Sequence, residues 1–199
     1  METIDTILTY WFGASPDTAA LAKDRADLWW SKNAAFDSEI RERFESTVQS
    51  AGDGHLDPWL AEPRGRLALI ILTDQFPRNI YRDSPRAFAF DANALEWSLA
   101  GIEQGHDRLL RPIERVFFYL PLEHSERLEH QERSVRLFGE LVPLVGREQQ
   151  ENFEQYLNLA VRHRDIVARY GRFPHRNRIL GRPSTPEELS FLSQPGSSF

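Results

Sequence analysis

The sequence predicts an all-α protein, and three observations carry that expectation. Apolar residues recur at helical spacing along nearly the whole chain. No stretch shows the strict apolar–polar alternation of a half-buried strand. Glycines, prolines and capping residues punctuate the pattern at intervals suited to helices with short connections. About eight helices are expected, packed as antiparallel neighbours in one domain over residues 1–192, with 193–199 a loose tail.

Ile4, Ile7, Leu8, Trp11 and Phe12 share one helical face that Gly13 ends. Ser15 and Pro16 read as a cap followed by proline at the first helical position. That helix reaches Trp29 and Trp30, a pair expected to lie in the core and at its rim. Phe36, Ile40, Phe44 and Val48 repeat every four residues until Gly52 and Gly54. Leu67 to Leu72 is apolar all round, which suits a central buried helix closed by Pro77. Ser84 and Pro85 open a unit whose buried stripe is Phe88, Ala92, Leu95, Leu99 and Ile102. Pro112 starts a short apolar helix over Ile113 to Leu120. Ser125 is placed to cap a helix running to about Val145. The last long helix runs from about Glu148 to Tyr170 and stops at Gly171. Thr185 and Glu188 form a capping box on a final short helix ending near Leu192.

Composition narrows the chemistry. The chain has no cysteine, which excludes disulfides, a thiolate nucleophile and thiolate-ligated metals. No apolar run approaches the roughly 20 residues that span a bilayer. The first residues lack a signal-peptide pattern, so a cytoplasmic protein without a membrane partner is expected. The formal net charge is −6, yet residues 162–182 hold seven arginines and a single acid, Asp165. A local cationic patch on an acidic protein suits a small anionic molecule or an acidic peptide better than nucleic acid. The alternative is that these arginines pair with neighbouring carboxylates. The sequence gives no oligomeric state.

Polar residues interrupt apolar stripes at three positions. His163 sits among Phe153, Tyr156, Ala160, Val167 and Tyr170, and Gln131 among Leu128, Val135, Phe138 and Val142. Gln75 follows the all-apolar segment directly. Each needs a partner, because a buried unsatisfied polar group costs roughly 1–3 kcal/mol. With turn-flanking residues they make a constellation. His163, His175, His124 and Glu126 are the catalytic candidates, with Glu126 fixing an imidazole. Gln75, Arg78, Asn79, Gln131, Arg176 and Asn177 are the ligand-binding candidates, the arginines as anion forks. Core packing, turns and an N-cap account for the same residues one at a time. No metal is expected: Glu126 and His130 stand at i, i+4, but Glu129, Arg133 and Arg136 beside them mark a solvated face. No cofactor is implied, because the glycines form no phosphate-cradling loop.

Three ordered segments carry a family likeness: Leu67–Leu95, Phe117–Ser134 and His163–Leu192, with Trp11, Phe12, Trp29, Trp30 and Lys32. Within them stand Asp74–Asn79, His124–Glu126 and Gly171–Asn177. On these the chain resembles the bacterial DUF924 family over about residues 4–192. Tyr170 departs from the phenylalanine more usual before that glycine. The resemblance implies a helical fold of the TPR-like type, although no TPR consensus repeat is present. It brings no catalytic assignment. Two functions are therefore carried forward: a small-molecule site at the His/Arg/Asn/Gln cluster, with or without turnover, and a TPR-like scaffold binding peptides or proteins in an open groove.

Overall fold

The computed structural model describes residues 2–15 and 17–197. Those residues are helical throughout, with turns and short 3₁₀ segments between helices and no strand. Helix α1 (Ile4–Phe12) is held at its start by a Thr3–Thr6 capping box and buries Ile7, Leu8, Trp11 and Phe12. Helix α2 (Thr18–Trp30) begins later than Ser15 and Pro16 suggest. Asp17 is its cap, accepting the Ala19 and Ala20 amides, while Pro16 lies outside the described residues. Trp29 lies in the core, where its indole donates to the Trp11 carbonyl at 3.0 Å, and Trp30 sits half-exposed at the rim. Helix α3 (Ala34–Gly52) buries Ile40, Phe44 and Val48, and its last residue must be small because a Cβ there would stand 2.1 Å from the Phe90 ring.

The central rod follows. Helix α4 (Pro63–Ile70) continues through a π turn (Ile71–Gln75) into α5 (Phe76–Ile80). Pro77 therefore does not close the helix as its type suggests. The wider π turn bonds the Phe76 amide to the Ile71 carbonyl, and Pro77 falls in the first turn of α5, where its missing N–H costs least. The rod is buried from Gly65 to Pro77, with Thr73, Asp74 and Gln75 among its buried polar residues.

In α6 (Asp91–Glu103) the fully buried face is Ala94, Trp97, Ser98 and Gly101; of the expected stripe, Phe88, Leu95, Leu99 and Ile102 pack partly buried against the core and Ala92 is exposed. Small residues let the helix approach its neighbours closely. The Ser98 hydroxyl donates to the Phe118 carbonyl, and a Cβ on Gly101 would lie 2.5 Å from both Arg66 and Phe118. Helix α7 (Pro112–Glu123) runs past Pro121 because its whole apolar length is buried, so one lost backbone bond is outweighed. Helix α8 (Leu128–Leu141) starts after Ser125, which is not its cap, and ends before Pro143. Its buried face is Gln131, Ser134, Leu137, Phe138 and Leu141, whereas Leu128 is exposed. Helix α9 (Arg147–Tyr170) ends at Gly171, left-handed at φ 68°. Helix α10 (Pro186–Leu192) has the Thr185–Glu188 capping box.

The core is one large cluster from α1 to α9. A smaller one, Ile166, Val167 and Phe173 with Tyr170 and Phe191, pins the loop after α9 and α10 onto α9. No described helix is long and apolar enough to cross a membrane.

Candidate functional site

The three motif segments meet where the π turn, the end of α7 and the loop after α9 come together. Asp74 is fully buried in the π turn, and its carboxylate accepts the Nδ1 of His124 at 2.7 Å. Gln75 donates to its other oxygen, and Arg78 stands 3.4 Å from the first. Burial alone would raise this carboxyl. The Arg78 and His124 contacts outweigh it and hold the group well below the usual carboxylate range. An imidazole oriented through Nδ1 presents Nε2 for proton transfer. Burial and Arg78 lower the His124 pKa, against the opposing pull of Asp74.

Arg176 reaches the same place from a 3₁₀ turn (Pro174–Arg176). Its guanidinium lies between the Phe88 and Phe173 rings, 4.9 and 4.6 Å from their centres, and donates to the His124 carbonyl at 3.0 Å. Its Nε is buried with no hydrogen-bond partner. Burial, then Arg78, lowers its pKa to about 10, so it remains charged at neutral pH. Arg78 also lies over Phe88 and forks onto Asp91 at 2.8 and 3.0 Å. The cluster reaches water along Arg78, Asp91 and His124, whose side chains are 21, 24 and 16% exposed.

Behind this edge lies a second acid–imidazole pair. Glu123 Oε1 is 3.1 Å from His163 Nδ1, which is also 2.9 Å from the Leu159 carbonyl. Burial, with Asp74 adding, raises Glu123 to about 8, and burial lowers His163 to about 3. Both are therefore neutral at pH 7. Nδ1 either donates to Leu159 or accepts from the Glu123 hydroxyl, according to tautomer.

The other sequence candidates have different work. Glu126, expected to fix an imidazole, accepts a two-pronged bond from Arg182 and the Phe173 amide. Asn177 ties Arg182 to Ser184 and Glu188. Gln131 caps the end of α7 by donating to the Glu123 and Ser125 carbonyls. Asn79 points away to Asp37, which also holds Arg82. His175 packs against Phe173, and burial then Arg176 push it down to about 4. His130 bonds Ser125 and Glu126 bonds Arg182. The arginine patch is largely neutralised: Arg164, Arg169, Arg172 and Arg182 hold Asp165, Glu187, Glu188 and Glu126. Two clefts of about 280 and 300 Å³ flank α1 and include no residue of the cluster. In the first, Arg64 and Arg111 are already paired with Asp5 and Glu114.

Sequence reasoning passed over Asp74, Glu123 and Asp91. For the first the available signal was an acid two residues after the apolar run Leu67–Leu72 and before Phe76; for the second, an acid directly after Leu122 at the end of an apolar run.

Helices throughout, with a buried acid–imidazole–arginine cluster where three segments meet, define the class of protein. The chain belongs to the DUF924 family, bacterial proteins of unknown function, whose model matches residues 7–196. It is similar to a solved protein of unknown function from Agrobacterium tumefaciens, with 42% identity and a TM-score of 0.74 over 89% of this chain and 99% of that one. No curated protein matches it.

Proposed function

We propose that the cluster is a binding site for a small anionic molecule, with His124 as the group that gives or takes a proton. One observation carries the reading: the Asp74–His124 pair, 2.7 Å apart, stands beside two arginines at an edge open to water. A carboxylate or phosphate held by Arg78 and Arg176 lies within reach of an oriented imidazole whose neutral form can act as a base. Gln75 fixes Asp74, and the rings of Phe88 and Phe173 keep Arg176 in place. Pairing of most of the arginine patch with carboxylates speaks against an open, cationic peptide groove.

A thermal-shift panel of carboxylates and phosphates tests this. A ligand at about 100 times its dissociation constant stabilises a protein by roughly 2.7 kcal/mol, a few degrees for a chain of this size. At least one compound is expected to do so with the native protein and to lose the effect with folded His124→Gln. A flat response across the panel contradicts the reading.

A further inference from the structure

The Asp91 carboxylate is held differently from two other acids near the cluster. Glu126 and Glu188 bind arginines and also accept backbone amides, from Phe173 and Thr185, so each is tied to the chain at a second point. Asp91 accepts no backbone amide among the described residues. Among the described residues its side chain meets only Arg78, through both oxygens at 2.8 and 3.0 Å, and Arg176, 3.8 Å from Oδ2. It is the first residue of α6 and stands at the water edge, with its side chain partly exposed. Arg176, by contrast, is fixed and 9% exposed at the side chain, with its buried Nε lacking a partner. A buried cation with an unmet donor is a place where a better-fitting acceptor gains.

We propose that Asp91 is a built-in plug that occupies the Arg78–Arg176 pair, and that the ligand is a compact carboxylate that displaces it. This rests on the reading of the cluster as an anion site. The plug defines the chemistry of its competitor: the Arg78 fork accepts carboxylates and phosphates alike, but only a carboxylate reproduces the planar, singly charged group that leaves, whereas a phosphate is bulkier than the space Asp91 vacates. Displacement also raises the local demand for anions, because it leaves Arg78 and Arg176 facing the incoming group with only Asp74 and Glu126 to offset them.

The test uses acetate and inorganic phosphate, titrated into the native protein, Asp91→Asn and the double variant Asp91→Asn/Arg176→Met, and followed by amide NMR. Asp91→Asn keeps the side-chain shape and removes the charge. It is expected to bind acetate at least about tenfold more tightly than the native protein, since a competing internal charge pair is gone. Phosphate gains less, and the double variant loses the gain. Asp91→Ser, which retains a residue suited to a helix start, carries the same expectation. Equal affinity in native protein and variants, a gain that survives in the double variant, or failure of both single variants to fold makes Asp91 a structural tie and overturns the proposal. A gain for phosphate above acetate overturns the carboxylate assignment. The two readings fail separately. A metabolite that binds native protein no better after Asp91→Asn leaves the site and removes the plug. Acetate gained by Asp91→Asn with a flat metabolite panel leaves the plug and removes the proposed function.

Discussion

Two buried arginines in this molecule do opposite things. Arg66 is 4% exposed and Arg176 7%. Arg66 has no carboxylate partner among the described residues. Instead it donates to the Leu60 and Trp97 carbonyls, to Gln104 and to Nδ1 of His106, joining α4 to α6 and the turns beside them. Every nitrogen of its guanidinium is bonded. Arg176 donates to one carbonyl, keeps an unbonded Nε, and sits among groups that titrate. Burial of a cation thus says little about its role; the completeness of its hydrogen bonding separates a latch from a site.

The largest expected effect follows from the latch. Arg66→Met leaves several buried acceptors unmet and should cost about 4 kcal/mol, read as a lower urea midpoint. A loss close to zero would show that the surrounding carbonyls find other donors and would dissolve the contrast.

Next comes the acid behind the site. Glu123 keeps its proton in the folded protein up to about 8, against about 4.3 when unfolded. Its contribution is fully present below about pH 4 and is lost as the pH rises through about 8. Glu123→Gln should remove that loss, worth roughly 4 kcal/mol between pH 5 and 9, seen by comparing urea midpoints at those two pH values. His163 has the opposite sign: held neutral down to about 3, it contributes above about pH 6.5 and loses this as the pH falls. Parallel profiles for native protein and Glu123→Gln would show that Glu123 ionises normally.

Gly101→Ala presses a methyl group onto Arg66 and Phe118 and should cost about 2 kcal/mol in the same assay. Arg176→Met should be the mildest, about 1 kcal/mol, because only one hydrogen bond to a carbonyl is lost, yet it should abolish any ligand-induced stabilisation. A large stability loss in Arg176→Met with ligand response intact would reverse the two roles.

Much of this fold is legible in the sequence. Caps and apolar spacing mark α1, α3, α9 and α10 to within a residue or two, because each signal is chemical: Gly13, Gly52 with Gly54, and Gly171 as stops, and Thr185 with Glu188 as a start. The face of α6 is not legible. Small residues at Ser98 and Gly101 bring the helix close to its neighbours, and spacing of large apolar residues marks only the flank of the buried face. Pro77 reads as a stop because proline breaks α-helices, and the π turn that admits it has no pattern of its own. For the site, the three motifs can be seen but their meeting cannot. The contact between Asp74 and His124 joins residues 50 apart in the chain, and only packing makes it. Acids such as Asp74 and Glu123 read as solvent-facing by type, so the two most perturbed carboxyls of the cluster stay hidden until burial is seen.

The central claim is that Asp74 holds His124 in the tautomer that leaves Nε2 free for a proton. Long-range nitrogen NMR of the histidine rings tests it most directly. The account predicts a protonated Nδ1 and an unprotonated Nε2 for His124 at neutral pH, with the Nε2 resonance moving when a stabilising anion is added. A proton on Nε2, or a His124 ring indifferent to every such anion, would contradict it.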